Sequence, residues 1–293
     1  MIDYDPHHWF DHFFDIKGSM FREIVGRVAF LVVWAAAVTA VHHFVFPLAI
    51  PATVHTLVGT ALGLLLVFRT NASYDRFWEG RKMWGGIINE TRNLCRAAWP
   101  FLKTEPARFR ELTEWVTAFP YASMNHLRGS SGVGPSAPET VRAMETAQHV
   151  PLAVARGISE RLAEARAAGL MTEYAQMSID QYNGLLIQYL GACERIHRTP
   201  LPFAYVVHLR RALILYCMTL PFALLEPFHW WDVPAVLMLS YTFLGIEEIG
   251  VEIEDPFGED ENDLPLERFC ETIEGNLRGL VVSAPGPGPQ STP

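Results

Sequence analysis

The residues best suited to binding an ion are concentrated in one short segment near the end of the chain. The segment has five carboxylates within nine residues, around a Pro and a Gly: Asp255, Glu259, Asp260, Glu261 and Asp263. Carboxylate oxygens are the ligands that a hard cation such as Ca²⁺ prefers. The spacing does not match the loop of an EF-hand. The cluster therefore indicates a cation site, a solvated acidic turn or a buried contact between subunits.

Two further groups have side chains that could bind a metal or take part in catalysis. The N-terminal group comprises His7, His8, Asp11, His12 and Asp15, whose spacing fits either a metal site or an interfacial helix. Glu194 and Arg195 are adjacent charges that we expect to form a structural ion pair rather than to act in catalysis.

Signs of enzymatic chemistry are few. The sequence lacks the GxSxG, Walker A, HExxH and GxGxxG patterns. Its four cysteines are scattered without a CxxC pair, which indicates reduced packing residues. We expect no enzymatic activity and no required cofactor.

Composition favours a membrane protein with a sizeable polar part. Half of the 293 residues are apolar or aromatic, and the mean hydropathy is slightly positive, at +0.13. The formal charge of −9 disfavours binding to nucleic acid, because phosphate contacts need clustered positive charge.

Four apolar runs are long enough to place helices in a membrane. Val28 to Phe46 is the clearest, since about 20 apolar residues cross the hydrocarbon core. Val54 to Phe68 is shorter and ends at a charge. The third run, 203–225, contains Arg210 and Arg211, and the fourth, 233–250, ends near Glu247 and Glu248. Charges at such depths face other protein groups or water, so a bundle enclosing polar space is expected.

These runs predict an all-α membrane protein with four transmembrane helices per protomer and a cytosolic helical domain. Basic residues flank the first two runs, which places both termini on the cytoplasmic side. The predicted parts are an N-terminal segment (1–23), two membrane helices (24–68, with the second at 54–68), a cytosolic helical domain (69–202), two more membrane helices (203–250), an acidic segment (251–283) and a disordered tail (284–293).

One face of the second run has a pattern that suits a narrow pore. Thr60, Leu64 and Phe68 are four residues apart and so lie along one side of a helix. Gly59 and Gly63 on the adjacent face would allow close backbone approach. A ring of such helices would form an apolar constriction, and the alternative is ordinary helix packing.

The segment that follows, FRTNASYDRFWEGR from Phe68, resembles the corresponding segment of bacterial bestrophins. Three other segments are also similar to that family: HHWFDHFFDIKGSM, ERIHRTPLPFAY and EDPFGEDENDLPL. Together the four segments span almost the whole sequence, in the family's order.

The resemblance implies a homopentamer in the bacterial inner membrane, with membrane lipids around one axial pore. The family's neck positions fall on Thr60, Leu64 and Phe68, although relatives usually have a bulky residue in place of Thr60. A second constriction, at the cytosolic exit, corresponds to about Tyr174. In animal members the acidic segment binds calcium through positions that match Asp260 and Asp263.

The function expected from these features is passive conduction of small monovalent ions. The resemblance to bacterial rather than animal bestrophins implies a pathway for cations, Na⁺ and K⁺, and the acidic excess favours cations in the vestibule, although pore-facing Arg residues could reverse this preference. The alternatives are an anion channel of the same fold or, from other classes, a membrane-anchored metal-binding sensor or enzyme, or a scaffold whose helices merely assemble.

Overall fold

The computed structural model describes residues 20–282, and every regular element among them is helical. The predicted all-α class is therefore confirmed. The predicted tail at 284–293 and the N-terminal His and Asp group lie outside the described residues. In chain order the helices are α1 (Phe21–Phe44), α2 (Thr53–Leu102), α3 (Pro106–Leu127), α4 (Glu139–Arg142), α5 (Val150–Ala167), α6 (Glu173–Arg198), α7 (Phe203–Phe228), α8 (Asp232–Glu252) and α9 (Leu266–Val282).

The chain divides into two compact units. The first contains the described residues up to Trp78 together with Thr199–Asp263, and the second contains Glu79–Arg198 together with the residues from Leu264 onward. Helix α2 contributes its first half to one unit and its second half to the other.

The first unit contains the apolar helices. Three helical stretches are long and apolar enough to cross a membrane: Phe21–Phe44, Thr53–Leu102 and Phe203–Glu252. The third consists of α7 and α8, which pack against each other and are separated by a short turn at His229–Trp231. The four predicted spans thus correspond to α1, the first part of α2, α7 and α8.

These four helices share one apolar core in the first unit. Helix α1 packs against both α7 and α8. Leu62 and Leu66 add the buried face of α2 to this core. Many large apolar side chains on the opposite faces remain exposed, such as Val33 at 69 % and Leu215 at 66 %, as expected for helices that contact lipid or other subunits.

A cluster of charges ends the apolar part of α2. The Arg69 side chain is 1 % exposed, and its guanidinium nitrogens lie 3.7 Å from a Glu247 oxygen and 3.6 Å from a Glu254 oxygen. Arg210 donates a 2.8 Å hydrogen bond to Glu247. Among residues 20–282, no acceptor forms a hydrogen bond with the Arg69 guanidinium. Its charge is therefore balanced by ion pairs alone, and burial makes those pairs necessary.

We expect Arg69→Met to destabilise the protein by about 3 kcal/mol, because it leaves a buried carboxylate without one of its cations. The measurement is the thermal unfolding of the purified protein in detergent. Arg211→Met is the matched control, since Arg211 is exposed on α7 and its loss should change stability by less than about 0.5 kcal/mol. Equal unfolding temperatures for the two variants would contradict the stabilising role of the cluster.

The second unit is a bundle built around α3. Helix α3 packs against α5 and α9, and α5 packs against α6. The four cysteines of the chain are free and buried, three of them in this unit, as predicted for packing residues. Burial raises the pKa of the Cys95 thiol to about 12, which keeps that thiol protonated at neutral pH.

One close helix contact in this unit depends on a glycine. A Cβ added at Gly157 of α5 would lie 2.0 Å from Cζ3 of Trp115 on α3, a distance that no real contact reaches. Trp115 is only 4 % exposed, so its ring has little room to move. The two helices therefore approach each other at a distance that only glycine permits.

We expect Gly157→Ala to destabilise the second unit by about 1–3 kcal/mol through overpacking. Gly184→Ala on α6 is the matched control, because an added Cβ there meets nothing within 4 Å. Alanine favours helix over glycine by about 1 kcal/mol, so the control should be neutral or stabilising. Thermal unfolding of both variants measures the difference, and a stabilising Gly157→Ala would show that Trp115 can move aside.

Candidate pore and ion-binding residues

The predicted neck residues lie on an exposed face of α2. Leu64 is 57 % exposed and Phe68 is 56 % exposed, and Thr60 is also in the exposed class. The Thr60 hydroxyl donates a 2.9 Å hydrogen bond to the Thr56 carbonyl, one turn earlier in the helix. This bond satisfies the hydroxyl proton within the helix. The face therefore presents two apolar side chains and one threonine, none of which the protomer covers.

The two glycines beside this face differ in their surroundings. A Cβ at Gly59 would lie 2.6 Å from the Tyr216 hydroxyl oxygen, so this glycine does permit a close approach by α7. A Cβ added at Gly63 would meet no other part of the described chain within 4 Å. The prediction of close packing therefore holds for the first glycine within the protomer and is not met by the second.

Tyr174, the predicted cytosolic constriction, lies at the start of α6. Its side chain is 85 % exposed, and Met177 on the next turn is 63 % exposed. The protomer leaves both side chains uncovered. They are therefore available to contact other subunits or to line a passage.

The acidic segment forms part of a cavity of about 400 Å³ in the first unit. The walls include carboxylates from α1 and α8 as well as from the segment itself. Glu23 was not predicted, because it is far from residue 260 in sequence and only the fold brings it near. Glu248 and Glu252, near the end of α8, were also not predicted as part of this site. The carboxylates that line the cavity are Glu23, Glu248, Glu252, Asp255, Asp260 and Asp263.

The two predicted calcium ligands have different environments in this cavity. Asp260 is exposed, whereas Asp263 is 3 % exposed. One Asp263 oxygen, Oδ2, accepts a 2.8 Å hydrogen bond from the Asp260 backbone N–H. The other oxygen, Oδ1, is buried and has no hydrogen-bond partner among the described residues. The pair is thus joined in one turn, with one carboxylate oxygen left unsatisfied.

The electrostatic environment of Asp263 is unfavourable for its charge. Burial raises the pKa of its carboxyl to about 6, and the neighbouring charges of Asp260, Asp255 and Glu252 act in the same direction. The hydrogen bond from Asp260 opposes this shift only partly. A cation in the cavity would compensate both for the burial of the Asp263 charge and for its repulsion by neighbouring carboxylates. The residues present therefore fit a hard divalent ion.

Glu194 and Arg195, predicted to be a structural ion pair, instead contact other residues of the second unit. The Glu194 oxygen Oε1 lies 2.9 Å from Nε2 of His126 and 3.0 Å from Nε2 of His149. Arg195 lies 3.3 Å from a Glu79 oxygen. Neither histidine was singled out from the sequence. Their proximity depends on the packing of three helices, and such packing leaves no pattern in the local sequence.

Comparisons with known proteins agree on one family. The family model described as "Bacterial/Fungal Bestrophin protein" matches residues 1–279. A protein of Nostoc sp. named "voltage-dependent anion channel-forming protein" is 39 % identical over 290 residues, which cover 95 % of this chain and 93 % of that protein. A protein of the same description from Escherichia coli (strain K12) is 31 % identical over 287 residues, covering 94 % and 93 %.

A solved structure has the same fold. The bacterial bestrophin homolog from Klebsiella pneumoniae is 30 % identical and superposes with a TM-score of 0.83. The alignment covers 89 % of this chain and 100 % of that one. The match extends over both compact units, and the family model covers all of the described helices except the last residues of α9. The chain is therefore a membrane protein that belongs to the bacterial and fungal bestrophin family.

Proposed function

We propose that this chain is one protomer of a homopentameric ion channel in the bacterial inner membrane, with both termini in the cytoplasm. The observation that carries the proposal is the exposed face of Thr60, Leu64 and Phe68 on an apolar helix. Five copies around an axis would turn that face into a neck. The chain belongs to a family of membrane proteins, and its relatives are named as channel-forming proteins. Both facts support a channel over an anchored enzyme or sensor.

The neck would act as a hydrophobic constriction. Rings of Leu64 and Phe68 offer no hydrogen bonds to an ion, so an ion passing them must keep its water or lose hydration energy. The smaller Thr60 would leave the outer end of the neck wider and more hydrated. Tyr174, exposed at the start of α6, would form a second constriction on the cytosolic side.

Anions are the permeant class that the relatives favour, since the proteins of Nostoc and Escherichia coli are both named for anion channels. The preference for cations predicted from the acidic excess has no support in those names. A neck without charge is compatible with anions, and the edge of an aromatic ring such as Phe68 carries partial positive charge.

Cations remain the second candidate because of one feature. The formal charge of the chain is −9, and six carboxylates line the cavity beside the acidic segment. Negative potential along a pathway concentrates cations there. The charge sign of the permeant ion therefore depends on which is stronger, the electrostatic potential at the neck or that of the wider passage.

We propose that the acidic cavity binds calcium through Asp260 and Asp263. The unsatisfied Oδ1 of Asp263 supplies a buried oxygen ligand, and the exposed carboxylate of Asp260 lies in the same turn. A bound Ca²⁺ would offset two of the negative charges that α1, α8 and the segment after α8 bring to the cavity. It would thereby stabilise the first unit.

We expect reconstituted channels under a KCl gradient to reverse near the chloride potential. Reversal near the potassium potential would instead establish the cation candidate while keeping the channel assignment. Absence of current from well-folded oligomers, across several lipid compositions, would contradict the channel itself. Planar bilayer recording makes all of these measurements on the full chain.

The neck assignment has its own test. Leu64→Ala and Phe68→Ala should raise conductance several-fold, because smaller side chains lower the barrier to a hydrated ion. Val58→Ala is the matched control: Val58 is 42 % exposed on α2, but it lies about 120° around the helix from the centre of the neck face. A conductance change in Val58→Ala as large as that in Phe68→Ala would place the pore on another face.

Calcium should raise the thermal unfolding temperature of the wild type and have little effect on Asp263→Asn. The physical reason is that asparagine replaces a charged ligand with a neutral one, and calcium affinity falls as the number of charged ligands falls. Glu261→Gln is a suitable control, since Glu261 is exposed in the same segment but does not line the cavity. Equal calcium stabilisation of wild type and Asp263→Asn would remove Asp263 from the site.

A further inference from the structure

Two histidines and a glutamate in the second unit bring three ligand atoms together. His126 is near the end of α3, His149 immediately precedes α5, and Glu194 belongs to α6. Their ligand atoms all lie within 4.8 Å of one another. We propose that these three side chains bind one divalent transition-metal ion, with the chemistry of Zn²⁺, and that the ion ties α3, α5 and α6 together.

Two of the three distances between ligand atoms are close to those of an occupied site. Zinc binds histidine nitrogen and carboxylate oxygen at about 2.0–2.2 Å, so tetrahedral ligands lie about 3.3 Å apart. The two nitrogen-to-oxygen distances here are 2.9 Å and 3.0 Å. Each contact needs to open by only a few tenths of an ångström to admit the ion. Side-chain rotation alone can supply such a shift.

The ligand set selects the kind of metal. Two imidazoles and one carboxylate suit zinc and its neighbours in the transition series, whereas Ca²⁺ and Mg²⁺ prefer sites made of oxygen alone. This site therefore differs in chemistry from the acidic cavity of the first unit. The three side chains are 20 %, 35 % and 22 % exposed for His126, His149 and Glu194. Solvent can thus deliver the ion and fill a fourth position with water.

The position of the proton on the His149 ring determines which hydrogen bonds a bound metal would replace. Nδ1 of His149 accepts a 3.2 Å hydrogen bond from the Leu152 backbone N–H at the start of α5. In the metal-free protein Nε2 of His149 therefore carries a proton and donates it to Glu194. A metal at Nε2 requires His149 to change tautomer: the proton leaves Nε2 and Nδ1 becomes protonated, so the long capping bond from the Leu152 N–H is lost. A shorter bond from Nε2 to the metal would replace that hydrogen bond.

The alternative is a purely hydrogen-bonded triad. The two rings lie with centroids 4.4 Å apart, and both nitrogens can donate to the same carboxylate oxygen. Such a triad would tie the same three elements without a metal. The two arrangements predict different responses to added zinc.

The test is a zinc titration of the full-length protein, purified in detergent and stripped with a chelator. A competing chromophoric chelator reports affinity and stoichiometry. We expect one zinc per chain, and a loss of affinity of about 100-fold or more in His149→Asn and in Glu194→Gln, because each removes a direct ligand. Zinc should also raise the unfolding temperature of the wild type and not of these variants.

Two controls separate this site from other histidines. His197→Asn changes an exposed histidine on the same helix as Glu194. A variant with His7, His8 and His12 all changed to Asn removes the N-terminal group. Both should retain the wild-type affinity. Loss of binding in the N-terminal variant alone would overturn the proposal and assign the metal there.

Cobalt provides a readout that needs no variant. Co²⁺ in a four-coordinate site with nitrogen ligands absorbs visible light far more strongly than six-coordinate Co²⁺ does. We expect the strong absorption in wild-type protein and its removal by one equivalent of zinc. Folded wild-type protein that binds neither ion above background would overturn the proposal and leave the hydrogen-bonded triad.

Discussion

Burial of Arg69 is the constraint on which the orientation of the candidate neck depends. This residue follows Phe68 directly and is the first charge after the apolar run of α2. Because its side chain is 1 % exposed, it must remain near Glu247 and Glu254. Neighbouring residues in a helix are about 100° apart, so a rotation of α2 that moved Phe68 would also withdraw Arg69 from its carboxylates. The ion pairs therefore fix which face of α2 stays uncovered.

All four apolar helices contribute charge to the same part of the first unit. Arg27 of α1 pairs with Glu248 of α8 at 2.6 Å, and Arg210 of α7 pairs with Glu247 at 2.8 Å. Together with Arg69 of α2, these contacts explain why the sequence tolerates charges inside two apolar runs. Arg27, Arg69 and Arg210 each lie against a carboxylate of α8, as the cost of burial requires, whereas Arg211 is exposed. Ion pairs within the protomer thus account for these three charges.

Patterns within a single helix could be predicted from the sequence, and contacts between distant segments could not. Hydropathy located the apolar helices, and the spacing of four residues placed Leu64 on one face, because both follow from local geometry. The metal candidate joins His126 and His149 to Glu194 across separations of 68 and 45 residues, and no periodicity records such contacts. Glu23 likewise lines the acidic cavity only because α1 packs beside α8.

The same contacts show why net charge is a weak guide to the permeant ion. The Arg69 cluster contains two arginines and two glutamates, so it contributes no net charge where α2 leaves its apolar run. In the acidic cavity Glu248 is paired with Arg27, and a bound calcium ion would offset two more of the six negative charges. A formal charge of −9 counts every carboxylate equally, whereas the field at a neck depends on those that are near and unpaired. Once the paired charges are set aside, an uncharged neck and a preference for anions are compatible with an acidic chain.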